Sequence, residues 1–558
     1  MELESHPQPS TLPITTTGTT IIPDEENATT TKPSNAPENE PTLTRKFSLW
    51  SMLSLAFCVL GTYSTFAQDL SSGLTNGGAV TILWGLVLVT ACNLCVALSL
   101  GELVSSMPTA LGQAYWVWRL WSESASGSES RVGRFVSYMC AWINTFGWWT
   151  LTASQMAFMT EFTLGLPGLF HAPSKEESSG WLKFVVYVAY TVALTAINVV
   201  GCRRDQVLPW LNKFVGVWFV GLFVILSLAM LIGVGVRDNR EFQPASFAFG
   251  AWLNNTGWSD GVIWFTGLVQ AAYGLTAFDS VVHMVEEIPA PRSNAPKVMF
   301  MAVGSGALTG FLFMVVCLFC IQDVNSVLNA SLPFLTLLNE TIGRDAATTL
   351  IALFIFNGLG QGIGIFTTAS RLTWGFARDG GLPFSPYLAH IDRTWKAPVR
   401  ALWAQCALIS LIGLLYLFAS TVLEAILSVS TIALTISYAI PIFVLLLVVG
   451  RDRLPPGCTF GLGRWGAWLN GVSLVYCAIT TVFFFFPGSP SPTPTDMNYA
   501  IAVFGVMLVI SVVFWGVKGR RTFLRTGDAE GRMIIAQGLE VLEREEREEA
   551  KGEKGGKE

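Results

Sequence analysis

Charge is what this sequence has least of. Only 13% of its 558 residues are Asp, Glu, Lys or Arg, about half the share in a soluble domain. No basic face for a nucleic acid can be built from so few cations. Histidine is scarcer still, with only His6, His171, His283 and His390 in no ligand-spaced cluster, so neither a metal site nor any other cofactor site has support. No Ser/His/Asp arrangement and no phosphate-binding glycine loop stands outside the apolar runs, which leaves an enzyme without a catalytic set. The 10 cysteines fall in apolar runs or in loops placed inside, so an external disulfide framework is not expected. Cys92–Cys95 and Cys317–Cys320 have CxxC spacing and read as small packing residues on helices. The first 44 residues carry no apolar core of a cleavable signal peptide. They are polar, Thr/Pro-rich and acidic, a composition that does not fold alone.

What fills the chain is apolar sequence. Hydrophobic residues make up 51% of it and the mean hydropathy is +0.50. Twelve apolar segments, each about the length that crosses a bilayer, run near 48–70, 79–106, 135–163, 181–200, 208–235, 260–285, 298–321, 346–370, 400–420, 423–449, 466–486 and 499–517. The expected fold is an all-α integral membrane protein with twelve transmembrane helices. A disordered tail, 1–46, precedes the membrane domain, 47–525, and a charged tail, 526–558, follows it. Lys and Arg crowd every second loop, whereas the alternate loops carry Lys175, Lys183, Arg237, Arg240 and Arg344. The positive-inside rule then puts both termini in the cytoplasm. The sequons at Asn254, Asn329 and Asn339 fall in loops assigned outside by that rule, which makes them glycosylation candidates.

Two of the segments are interrupted. Segment one contains Gly61-Thr62-Tyr63-Ser64-Thr65, with Asp69 at its outer end. Segment six contains Tyr273-Gly274-Leu275-Thr276 and then Asp279. Gly, Thr and Asp are poor helix residues, and a charge at this depth is costly unless it faces protein or water. Broken helices free carbonyls on one side and amide groups on the other, and in many carriers such halves bind substrate near the midplane. Five helices separate the two breaks. The repeats 48–235 and 260–449 would therefore be inverted with respect to each other, with two further helices, 466–517, added after them.

The residues of both breaks are candidate substrate contacts. Asp279 is either a substrate- or proton-linked carboxylate, or a cap for the second half-helix. Trp148 and Trp149 offer ring faces for an ammonium group, or else face lipid. Gln361, in the run Asn357-Gly-Leu-Gly-Gln361-Gly-Ile-Gly364, is either cavity-lining or part of glycine packing. Asp69, Glu286 and Glu287 are candidates for gating or proton coupling; for the two glutamates the alternative is a solvated helix end paired with Lys or Arg.

Three stretches carry a family resemblance: Gly101-Glu-Leu-Val-Ser-Ser-Met-Pro-Thr-Ala-Leu-Gly-Gln-Ala-Tyr-Trp116, Ala277-Phe-Asp-Ser-Val-Val-His-Met-Val-Glu-Glu-Ile-Pro289 and Thr368-Ala-Ser-Arg-Leu-Thr-Trp-Gly-Phe-Ala-Arg-Asp-Gly-Gly-Leu-Pro383. From about Phe47 to Arg525 the sequence resembles the amino acid–polyamine–organocation superfamily. Within it the match is to the fungal branch that holds GABA permeases and choline transport proteins. The resemblance implies a LeuT-like five-plus-five inverted repeat, broken helices one and six, and alternating access coupled to an ion gradient, usually protons. Many amino acid carriers of the superfamily hold a carboxylate on a Gly-Ser/Thr-Gly turn in helix one. Here the order is Gly61-Thr62-Tyr63-Ser64, which leaves room for a cation. The expected activity is thus import of choline or a related small amine at the plasma membrane. GABA or another amino acid is the alternative substrate, and a nutrient sensor with little transport of its own is a third reading.

Overall fold

The computed structural model describes residues 46–124, 130–171, 179–418, 422–455, 457–493 and 497–525. Apart from Lys46, both predicted tails lie outside these residues, as does Lys175. Among the described residues no β-strand occurs, and the regular elements are helices.

The first helix starts at Ser48. Its hydroxyl accepts from the Ser51 amide at 3.3 Å, and the Ser51 hydroxyl accepts from the Ser48 amide at 2.8 Å, so two otherwise orphaned donors are satisfied. Helix α1 (Leu49–Leu60) stops at Gly61, where φ is 55°, and the chain resumes at once as α2 (Thr62–Gln68). Glycine takes that left-handed turn without a steric penalty. The chain continues with α3 (Leu86–Ser106), α4 (Gln113–Ser124), α5 (Arg131–Gly165), α6 (Gly180–Cys202) and α7 (Val207–Gly235).

The segment predicted at 260–285 is divided into α8 (Asp260–Thr266), α9 (Leu268–Gly274) and, after a non-helical stretch, α10 (Ser280–His283). Then follow α11 (Pro291–Cys320), α12 (Pro333–Ile342), α13 (Arg344–Arg378), α14 (Val399–Gly413), α15 (Val422–Phe443), α16 (Gly466–Phe483) and α17 (Ala500–Phe514).

Ten helical stretches among the described residues are long and apolar enough to span a membrane. The protein is an integral membrane protein. The two predicted segments beyond these ten have physical reasons to differ. Segment 260–285 is cut into short pieces. Segment 135–163 lies within α5, which has 35 residues, ample length at about 1.5 Å each, but buries Asn144, Thr145, Thr152 and Gln155.

Burial orders the helices from centre to rim. Of an 18-residue apolar stretch within α1–α2, 78% of the residues are buried, against 22% in the last span, so α1–α2 lies at the centre and the last span at the periphery. The α7 helix likewise leaves Val217, Val224, Leu228 and Ile232 exposed, a face suited to lipid tails. Around the broken segments, α5 packs along α13 and α15, and α3 along α11.

Candidate substrate and coupling site

The two interruptions adjoin each other. A Cβ on Gly274 would lie 2.5 Å from Phe66 Cε1 of α2 and 3.4 Å from Thr62 Cγ2. The close approach of α9 to α2 therefore needs a glycine there. Gln270 Nε2 ties the same two elements by donating to the carbonyls of Phe66 at 3.1 Å and Asp69 at 3.0 Å. On the other side of Gly61 lies the Gln361 carboxamide of α13, whose Nε2 donates to the Val59 carbonyl at 3.4 Å.

The second break is held from outside its own strand of chain. Asn93 Nδ2 of α3 donates to the Leu275 carbonyl at 3.3 Å. Ala277 sits at φ 72°, a left-handed value unusual for a residue with a Cβ. Its amide donates to the Tyr438 hydroxyl at 3.2 Å, and that hydroxyl donates to Asp279 Oδ1 at 2.6 Å. One phenol on α15 thus fixes both the strained backbone and the carboxylate beside it. Thr276 turns its hydroxyl to the Ala272 carbonyl at 2.6 Å, and the Tyr273 hydroxyl meets Ser154 Oγ of α5 at 2.6 Å.

Asp279 is the centre of the site. Its side chain is fully buried. Oδ2 accepts from Gln113 Nε2 at 2.8 Å and from Trp148 Nε1 at 3.4 Å, and lies 3.1 Å from His283 Nε2. Asp279 makes no capping bond to α10, so of the readings weighed from the sequence the capping role falls away. A buried carboxylate is tolerated where donors replace its lost water, and here three side chains from three helices do so, with His283 of its own segment facing Oδ2. Sequence reasoning did not single out His283, Gln113 or Tyr438. His283 had a signal, its position four residues after an acid on a helix-like spacing. Gln113 and Tyr438 had none, being 166 and 159 residues away.

The tryptophans separate. Trp148 is fully buried, donates to Asp279 and stands edge-on to His283, with centroids 5.8 Å apart at 90°. Trp149 points elsewhere and donates to Thr373 Oγ1 at 3.0 Å. Tyr63 also turns from the breaks. Its hydroxyl donates to the Phe219 carbonyl at 2.9 Å, and its ring packs on Phe219, Phe223 and Phe313. Ser64 accepts from Gln68 at 3.1 Å, and the Thr65 hydroxyl donates to the Leu60 carbonyl at 3.3 Å.

Beyond α10 the chain is clamped by arginines from α13. Glu287 pairs with Arg371 at 2.9 Å, both 1% exposed, while Arg371 also reaches Cys202 Sγ at 3.5 Å. Burial on this scale rules out a solvated helix end for Glu287. Glu286 takes both contacts of Arg378 Nη1, at 3.0 and 2.9 Å. The Glu287 carbonyl accepts from the amides of Lys46 and Phe47 at 3.1 and 3.2 Å, so the start of α1 is joined to the same end. Asp205, between α6 and α7, bridges Lys396 at 2.8 Å and Lys46 at 3.1 Å. The Lys396 hydrogen bond holds its carboxyl below the usual carboxylate range; burial opposes it, and Lys46 adds to the lowering.

A buried polar core at two helix interruptions, walled by apolar spans, is the arrangement in which many membrane carriers hold their solute. Residues 47–509 match the family model for the amino acid permeases, described as "Amino acid permease". The chain belongs to that family. It is 30% identical over 499 residues to the choline transporter of Saccharomyces cerevisiae, covering 89% of this chain and 85% of that one. Amino-acid permease 2 of Neurospora crassa is 27% identical over 504 residues, covering 87% and 86%. The crystal structure of MhsT in complex with L-phenylalanine superposes with a TM-score of 0.54, covering 78% of this chain and 97% of that one. At 11% identity that likeness speaks for the LeuT-type fold alone.

Proposed function

We propose that this protein is a secondary carrier that imports choline or a related small amine together with protons, by alternating access. The observation that carries the substrate is the relationship to the yeast choline transporter across most of both chains. The twelve spans are then the ten apolar stretches, α5 and the interrupted run 260–285. Residues 48–235 and 260–449 form the inverted repeats. With both termini in the cytoplasm, the Glu286–Arg378 and Glu287–Arg371 pairs close the inner end, and Asn254, Asn329 and Asn339 lie in outer loops.

In this reading the substrate meets the carbonyls and amides freed around Gly61–Thr65 and Tyr273–Thr276, with Gln361 beside Gly61 and Asp69 on the outer side. Asp279 and Trp148 lie directly beneath. Because Asp279 is already surrounded by donors, an ammonium group reaches it only when those contacts rearrange. Trp149 and Tyr63 act through packing. The plasma membrane is the site of uptake.

The amino-acid permease relatives favour a second reading, GABA or another amino acid whose carboxylate sits on half-helix amides. Competition separates the two. Labelled choline uptake that unlabelled choline suppresses and GABA leaves untouched supports the amine reading. Uptake of an amino acid that choline does not compete for would replace it.

A further inference from the structure

We propose that Asp279 and His283 form a single proton-holding unit that couples proton movement to the motion of the second break, a role that rests on the proton-coupled carrier reading above. The argument starts from the two ring nitrogens. His283 Nδ1 lies 2.9 Å from the Ala110 carbonyl. A carbonyl only accepts, so Nδ1 carries a hydrogen. Nε2 faces Asp279 Oδ2 at 3.1 Å with both side chains sealed from solvent. A hydrogen bond there needs a second proton, held either as imidazolium against carboxylate or as carboxylic acid against neutral imidazole. In both forms the pair holds one exchangeable proton that no other group shares.

Losing that proton breaks one N–H or O–H bond and delivers H⁺ to water when the inner end opens. What is left is a carboxylate lone pair facing an Nε2 lone pair in a buried site, a repulsive arrangement. His283 remains anchored to Ala110 through Nδ1, and Asp279 remains anchored to Tyr438 and Gln113. The repulsion therefore acts between the start of α10 and its end, across the segment that adjoins the break. The surroundings suit the task. The titratable groups facing Asp279 are His283 on its own segment and the Tyr438 phenol from α15. Gln113 of α4 and Trp148 of α5 add neutral donors. The next charges along the chain, Glu286 and Glu287, are taken by Arg378 and Arg371 of α13.

The test uses full-length protein in liposomes that enclose a pH-sensitive dye. Wild type and His283→Gln are compared for choline-driven proton flux and for exchange of labelled against unlabelled choline at equal pH, which moves no net proton. We expect His283→Gln to move at least about tenfold fewer protons per choline carried, whatever rate of exchange it retains. Wild-type proton flux per choline in that variant would overturn the proposal. If His283→Gln loses exchange too, Tyr438→Phe decides. Removing one donor to the carboxylate disturbs the pair without deleting either member, so the protons moved per choline should fall; an unchanged ratio refutes the pair's role. Wild type that exchanges choline without proton flux would overturn the coupling itself, separately from any effect of the variants.

Discussion

Asp279 accepts from Gln113, Trp148 and Tyr438 and faces His283, with no solvent contact. Asp279→Asn removes the charge while keeping the shape. It should cut uptake by about tenfold or more with surface expression intact, measured by labelled uptake beside surface labelling. The Glu287–Arg371 pair is structural in a different way. Glu287→Ala leaves a guanidinium at 1% exposure without its partner, which should cost about 3–5 kcal/mol and lower the melting temperature in detergent. The double change Glu287→Gln with Arg371→Met should recover most of that loss, since it removes both charges. The sequence revealed Asp279 because a lone acid in an apolar run is conspicuous. It did not reveal which neighbours hold it. Gln113 and Tyr438 lie more than a hundred residues away and look like ordinary helix residues where they stand, and Trp148 stood out only for its ring. A Lys or Arg partner for Glu287 was among the readings of the sequence, but nothing local named Arg371, 84 residues on, or its burial.

The poor helix formers that cluster at Gly61–Thr65 and Tyr273–Thr276 lie beside two helix ends, but the interruptions are narrower than expected: Thr62–Thr65 are helical again in α2, and Tyr273 and Gly274 still belong to α9. Their supports were not legible. Nothing local announces that Tyr438 holds Ala277 in a left-handed turn, or that the Gln361 carboxamide lies against Gly61. These two positions predict opposite outcomes. Gly61→Val forces a branched side chain into φ 55° and into Gln361, so expression and uptake should both fall. Ala277→Gly gives up a left-handed cost of about 1–2 kcal/mol, largely offset by the greater freedom of glycine in the unfolded chain. Thermal stability should stay level or rise slightly in that variant. Helix patterning also explains the expected count of twelve segments against ten plainly apolar stretches. Long apolar runs mark the ten stretches, whereas buried polar residues in α5 and the cuts in 260–285 lower the apolar character of the other two expected segments.

At the scale of the whole molecule, Asp205 ties Lys46 at the start of α1 to Lys396 in a distant loop. Its carboxyl is held below the usual range, so the bridge to Lys396 and Lys46 is intact above about pH 4 and is lost only as pH falls further, through the lowered folded value. Asp205 is 44% exposed, so the contribution is modest. Across pH 5–8 that bridge does not titrate, and Asp205→Asn should leave the shape of the pH profile of uptake unchanged. A profile that flattened in Asp205→Asn would move the coupling away from Asp279 and His283.

The central claim, concentrative and proton-driven import of a small amine, is tested most directly by uptake. Permease-deficient yeast expressing this chain are given labelled choline with and without a protonophore. The account predicts accumulation above the external concentration that collapses when the protonophore is added. Choline that only equilibrates, or that accumulates equally with the proton gradient abolished, would contradict it.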